Sequence, residues 1–424
     1  MVTKVMARMK RLPNALARRA NGALESLSVE IENRRGQDAA AERLIILDDY
    51  FPNLLSSFRV AEYHACLKRF PSAEVHSTGT ALGEHKTFDG LLGEYESRHP
   101  EFKNRVLKFH RRRVLHGSAG YTVFLNNAYR FIESAEKSGL PFLFELYPGG
   151  GFRLDAERSD EKLRRVFSSH AFRKVIVTQP ITRDYLLGKN FCEPAQIEFV
   201  FGGVVPSDRF SASAAPKRCF GADKETLDVC FVANKYMPGG VDKGYDRFVG
   251  AAKLLAERHG KVRFHVVGPF DVSDGDLSGL GGRLTFYGTR QTDFFGTFYA
   301  GMDIIVSPNA SFLLAPGAFD GFPTGCCMEA GLCGVAVFCT DELRQNEGAF
   351  KEGEEIVIIS REAQDIAEKV EVYLKAPARL AEFSVATRRA FHRVLDIEHQ
   401  MKPRLKVLAE VMSVAEAGLA EKVG

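Results

Sequence analysis

The sequence of 424 residues contains no tryptophan, no low-complexity tract and no apolar run long enough to cross a bilayer. The last absence argues against a helical membrane span, and the second against disorder as the main state. No C-x-x-C pair or metal-finger spacing occurs among the eight cysteines. Several of them, such as Cys230, Cys333 and Cys339, sit inside apolar runs and read as buried free thiols in a reducing, cytoplasmic compartment. A Walker loop, a serine-nucleophile elbow and a paired-histidine zinc helix are likewise missing. The N-terminus is basic but lacks the continuous apolar stretch of a secretory signal, so none is expected. Neither sign of charge dominates: 57 basic against 54 acidic residues leave a formal net charge of +3. That balance gives no reason to expect a nucleic-acid partner.

What is present is alternation. A chain of this length exceeds one ordinary core and implies two or three domains. Short apolar runs at residues 44–47, 121–125, 141–147, 175–178 and 197–201 read as buried strands, with helical periodicity between them. After a stretch rich in serine, alanine and proline around residues 206–225, a second alternation begins. Its expected strands are 228–233, 262–267, 284–287, 303–306, 335–339 and 355–359, and helices are expected at 245–258 and 361–374. After Pro377 the chain reads as helical almost to its end. Strands alternating with helices predict α/β architecture: two doubly wound, Rossmann-like domains facing each other across a cleft. The expected division is a basic extension (1–42), a first domain (43–212), a second domain (222–385) and C-terminal helices (386–424) that pack back on the first domain.

In such sheets ligands bind outside the carboxyl ends of the strands, and three features of the second half lie there. Asn234 and Lys235 follow the first strand, then a glycine-containing loop leads to Lys243-Gly244 at a helix start. A lysine and free backbone N–H groups at that position suit a phosphate. Gly268 ends the next strand and would admit a ligand backbone, or mark an ordinary turn. The third feature is the string Asp320-Gly321-Phe322-Pro323-Thr324-Gly325 followed by Glu329. Thr324 is the expected N-cap of a helix whose positive end would face a diphosphate. Glu329, one turn in among apolar neighbours, would accept hydrogen bonds from a ribose diol; otherwise it needs a protein partner. Asp274 and Asp276, which resemble a metal-binding pair, read as turn residues, and His265 as a satisfied core histidine.

Taken in order, these pieces resemble the donor domain of the retaining GT-B glycosyltransferases known as group 1. The resemblance runs from about residue 228 to 375 and includes Gly288, Arg290 and the 303–308 strand end. It implies transfer of a sugar from a nucleotide-diphosphate sugar to a glycan or lipid-linked acceptor, with retention of configuration. It also implies no obligatory metal and no other cofactor. Lys243, Glu329, Asp320 and Lys235 become the expected catalytic residues. Asn234, Gly244, Gly268, Gly288, Arg290, Gly321, Phe322, Pro323, Thr324 and Gly325 become the expected nucleotide-sugar contacts. Two departures stand out. The family's two acids have seven residues between them, whereas eight separate Asp320 from Glu329. The family's arginine ahead of Lys-Gly is replaced by Asn234, which makes Lys235 the expected second phosphate cation.

The first half matches less well, with Asp49 and Asn53 in place of a twin-glycine loop and Tyr147, Gly149 and Gly150 in place of a histidine. These five form the expected acceptor side of the cleft. Residues 1–24 carry Lys4, Arg8, Lys10, Arg11, Arg18 and Arg19 with no acid, and Val2, Val5, Met6, Met9 and Leu12 at near-helical spacing. That pattern reads either as a peripheral anchor on an anionic membrane or as a solvated extension. A second basic cluster at 103–113 reads as an exposed helix face or a cleft surface attracting a phosphorylated acceptor. Two other functions remain open: an inactive nucleotide- or glycan-binding protein of the same fold, and a sugar-nucleotide epimerase.

Overall fold

The structure, a computed structural model, describes residues 43–81, 87–207 and 216–423, with backbone alone for 415–423. The amphipathic pattern within residues 1–24 therefore lies outside the described residues. The first sheet is built from β1 (Leu44–Asp48), β2 (Glu74–Ser77), β3 (Val106–Lys108), β4 (Ala119–Val123), β5 (Phe142–Leu146), β6 (Phe172–Val177) and β7 (Ile197–Phe199). The second sheet holds β8 (Leu227–Val232), β9 (Val262–Val267), β10 (Leu284–Phe286), β11 (Ile304–Ser307), β12 (Ala336–Cys339) and β13 (Val357–Ile358). All pairings are parallel, in the orders β3-β2-β1-β4-β5-β6-β7 and β10-β9-β8-β11-β12-β13. Both sheets run outward from their first strand and reverse between their first and fourth, which opens a crevice at β1/β4 and at β8/β11.

The strands are short and almost wholly apolar because helices cover both faces. β1, β4 and β5 are buried at every residue. In the first domain the helices are α1 (Ser57–Arg69), α2 (Phe88–Arg98), α3 (Leu125–Lys137), α4 (Glu157–Phe167) and α5 (Pro180–Gly188). In the second they are α6 (Tyr245–Arg258), α7 (Thr292–Gly301), α8 (Gly325–Leu332) and α9 (Ala363–Leu374). Two last helices follow, α10 (Pro377–Leu395) and α11 (Ile397–Val423). Helix α10 presses on α8 where Gly331 lies; a Cβ there would stand 2.2 Å from the Phe391 ring, so only glycine admits this crossing.

Helix α11 returns to the first domain, placing Met401, Val407, Leu408, Val411 and Met412 in the core with α1 and β1. Its Arg404 is fully buried and pairs with Glu145 of β5 at 2.6 Å. The same carboxylate accepts from Tyr121 at 2.9 Å, and Tyr147 donates to neighbouring Glu62 at 3.0 Å. Burial, then the nearby Glu145 charge, push the Glu62 pKa up, against the pull of Arg404 and the two tyrosine hydroxyls. An arginine and two carboxylates therefore share one fully buried cluster.

Two strands, β2 and β3, were not anticipated, because Glu-Val-His-Ser and Val-Leu-Lys carry too few apolar residues to read as buried strands. The basic cluster at 103–113 is accordingly no helix face; it is a turn, β3 and a second turn. The eight cysteines are free. His265 lies between Asp228 (2.8 Å) and Tyr287 (3.0 Å), a satisfied position as read.

Candidate functional site

The second domain presents its polar groups at the carboxyl edge of its sheet. Chain leaving β8 runs through Asn234 and Lys235 to a tight turn in which Gly239, Gly240 and Gly244 have positive φ. Gly244 is the N-cap of α6 with φ 73°, and a Cβ there would meet the Pro308 carbonyl oxygen at 2.1 Å. Glycine is thus required both by the left-handed backbone and by close approach to the loop after β11. This contact brings Lys243 against the string at 320–329. Its ammonium sits 2.8 and 2.7 Å from the two Asp320 oxygens, with the Tyr236 ring centroid 5.0 Å away. Asn309 donates to the same carboxylate at 2.6 Å. Burial opposes the lysine charge, but Asp320 outweighs it and holds the pKa above the ordinary lysine value.

Helix α8 begins at Gly325, immediately beyond this pair. Thr324 occupies its N-cap position, but its hydroxyl turns to Ser307 (3.2 Å) and Cys326 (3.2 Å) instead of capping the backbone. The first N–H groups of α8 are therefore not capped by that side chain, as an anion site would require. Glu329, further into α8, is buried and accepts from the Ser57 hydroxyl at the start of α1 (3.0 Å). Desolvation pushes its pKa up to about 7, and the Ser57 bond only partly offsets this. Among the described residues this serine is the one side-chain partner of the carboxylate, and it reaches across from the other domain.

The remaining expected contacts are placed as follows. Gly268 (φ 136°) would put a Cβ 2.0 Å from the Ala233 carbonyl, and its N–H meets the Gly288 carbonyl at 3.1 Å. These glycines form the floor at the β9 and β10 ends. Arg290 is exposed, 5.3 Å over the Phe294 ring. Gly321 lies beside Gln179 of the first domain, and the Phe322–Pro323 peptide is cis. The Asn234 side-chain oxygen accepts from the Lys235 N–H at 3.1 Å. Lys235 is not brought to Lys243: both its Asp274 contacts, at 2.8 and 2.9 Å, commit its charge to a loop carboxylate.

On the first domain, Asp49 accepts from Asn127 (3.1 Å) and Arg59 (3.4 Å). Asn53 is buried and bonds the Leu55 N–H, a turn role. Gly149 and Gly150 have positive φ, and Gly150 packs under Phe124 with no room for a Cβ. The Tyr147 hydroxyl is turned into the Glu62 cluster, so its ring and not its polar tip faces Gly203 and Met328.

Three residues went unnoticed in the sequence. Gln179, at the end of β6, holds the Phe322 backbone from across the cleft, accepting from its N–H at 3.0 Å and donating to its carbonyl at 3.3 Å. Ser57 and Asn309 complete the set. Gln179 and Asn309 directly follow strands on the ligand edge, and that position was the available signal; Ser57 instead opens α1.

Residues 227–376 match the model of the family described as Glycosyl transferases group 1. Among curated proteins there is no significant match. Several solved structures resemble the chain. HepE of Anabaena, in complex with UDP and glucose, has a TM-score of 0.63 at 14% identity, over 87% of this chain and 99% of that one. A sucrose-phosphate synthase from Thermosynechococcus elongatus gives 0.57 at 14%, over 88% and 100%. A candidate UDP-N-acetylglucosamine 2-epimerase from Listeria monocytogenes gives 0.55 at 12%, over 89% and 98%. Likeness at these identities establishes architecture: the chain has the two-domain GT-B fold, and its second domain matches the group 1 glycosyltransferase model.

Proposed function

We propose that this protein is a glycosyltransferase that takes a sugar from a nucleotide-diphosphate donor and passes it, with retention, to a glycan or lipid-linked acceptor. The observation that carries the reading is one arrangement. Lys243, paired with Asp320, stands before the uncapped start of α8, and Glu329 is buried one turn behind it. A diphosphate would take the place of Asp320 on Lys243 and accept from the α8 N–H groups. The ribose hydroxyls would donate to Glu329. Such a ligand would supply hydrogen bonds to a carboxylate that now has a single serine.

In the reaction, the bond between the anomeric carbon and the donor phosphate breaks, and its electron pair leaves with the diphosphate. Lys243 and the α8 dipole would stabilise that developing charge. The acceptor oxygen attacks from the same face, and its proton passes to a departing phosphate oxygen. Asp320, freed from Lys243, would turn to the sugar hydroxyls. No metal is required by this scheme. Polysaccharide or glycoconjugate synthesis is the setting that fits it. The membrane, if it takes part, would be met by residues 1–24.

The test is incubation of the full chain with UDP-, GDP-, ADP- and dTDP-sugars, with product anomers read by NMR. Release of nucleotide with transfer or hydrolysis supports the reading, and an inverted anomer refutes retention. The Listeria likeness favours one second reading, epimerisation. Conversion of a UDP-sugar to its 2-epimer without nucleotide release would establish it.

A further inference from the structure

A cavity of about 1240 Å³ lies between α1 and α11, closed at one end by Gln291–Asp293 of the second domain. Its walls are two helical stripes. Val60, Ala61 and Ala65 supply one, and Met401, Leu405 and Ala409 supply the other. Both follow from the three- and four-residue repeat of a helix face, and together they make a long apolar floor. The volume exceeds that of an ordinary small-molecule site. One end is polar and continuous with the reaction cleft, because Ser57 lines the cavity and also bonds Glu329. Five cations and four carboxylates line the rest of the wall. Lys68 and Arg69 at the end of α1, and Lys402 of α11, are exposed, and none forms an ion pair with a carboxylate among the described residues.

Resting on the glycosyltransferase reading, we propose that this groove takes the apolar chain of a lipid-linked acceptor that carries a phosphate. An apolar floor suits a hydrocarbon better than a glycan, whose hydroxyls would find few partners on Val60, Ala61 or Leu405. The unpaired cations suit the phosphate that joins lipid to sugar. Continuity through Ser57 leads the polar end of such a molecule toward the cleft. This assigns the acceptor class, and it assigns α11 a part in acceptor binding besides its packing role.

The absence of tryptophan supplies the assay. Ser413→Trp, at the groove's outer end, gives the full chain one fluorescent reporter for titration with farnesyl phosphate, farnesol and inorganic phosphate. Farnesyl phosphate is expected to saturate the signal, farnesol to bind at least tenfold more weakly, and phosphate alone to give no change. Ala65→Phe, which fills the floor, should weaken farnesyl phosphate at least tenfold while nucleotide-induced thermal stabilisation stays as in wild type. Leu405→Lys tests the other wall should Ala65→Phe not fold. Lys68→Glu combined with Lys402→Glu should remove the preference for farnesyl phosphate over farnesol. Equal binding by wild type and both floor variants would overturn the proposal, as would a response to phosphate alone. Binding only to phosphatidylglycerol vesicles, unaffected by the floor variants, would also overturn it and leave a surface contact. Loss of nucleotide binding with lipid binding intact would instead count against the donor reading.

Discussion

The two domains share one strand order and handle charge in opposite ways. In the first, Arg404, Glu145 and Glu62 are sealed inside the sheet and its returning helix, each with protein partners only. In the second, Lys243 and Asp320 stand at the carboxyl edge, where the Asp320 side chain is 37% exposed. The buried set offers a ligand nothing to displace. The edge pair does, because a half-exposed carboxylate can yield its lysine to a more charged anion at modest cost. Charge inside the first domain thus fixes α11 to it, and charge in the second stands at an open edge.

The comparison breaks most sharply on activity. Lys243→Ala should lower turnover by about 10²–10³-fold, the usual effect of removing a group that stabilises a leaving charge. Its denaturation midpoint should stay near that of wild type. Activity within threefold of wild type would place the chemistry elsewhere. Stability should show the reverse. Arg404→Met leaves Glu145 buried without its cation and should cost about 3–5 kcal/mol in a urea titration. A loss below about 1 kcal/mol would mean that the cluster relaxes or takes up water.

Proton linkage sharpens the contrast at a single residue. Glu329 has a folded pKa of about 7, above its ordinary carboxylate value. The unfolded chain therefore releases this proton first, and folding stability falls as pH rises from about 4.5 to 7. The contribution is on the order of 3 kcal/mol. Glu329→Gln should match wild type near pH 4.5 and be the more stable protein at pH 8. The difference in melting temperature across that window measures it, and no difference at pH 8 would mean that Glu329 is better solvated than its burial suggests. The smallest effect belongs to Lys235. Because Asp274 already holds it, Lys235→Ala should change donor KM by less than about threefold, within the usual worth of a surface pair. A hundredfold loss would show that Lys235 leaves Asp274 for the donor.

Both sheets were legible because a covered parallel strand must be apolar, and stretches such as Leu44–Asp48 can hardly be anything else. Strands β2 and β3, near one edge of the first sheet, carry polar residues and escaped the pattern. The string from Asp320 to Glu329 could be picked out as a unit for a different reason: it is ten contiguous residues, so spacing preserves its geometry. What spacing cannot convey is who meets whom across the cleft. Gln179 finds Phe322 at a separation of 143 residues and Ser57 finds Glu329 at 272. Lys235 illustrates the same limit. Its position suggested a phosphate, and Asp274, 39 residues on, had already engaged it.

The crevice around Lys243 and Glu329 is the proposed site for the nucleoside diphosphate of a sugar donor. Calorimetric titration of the full chain with UDP, GDP, ADP and dTDP tests it most directly, alongside Lys243→Ala and Glu329→Ala. Saturable one-to-one binding of at least one of the four is expected, weakened tenfold or more by each substitution. Binding by none of them, or binding that both variants retain unchanged, would contradict it.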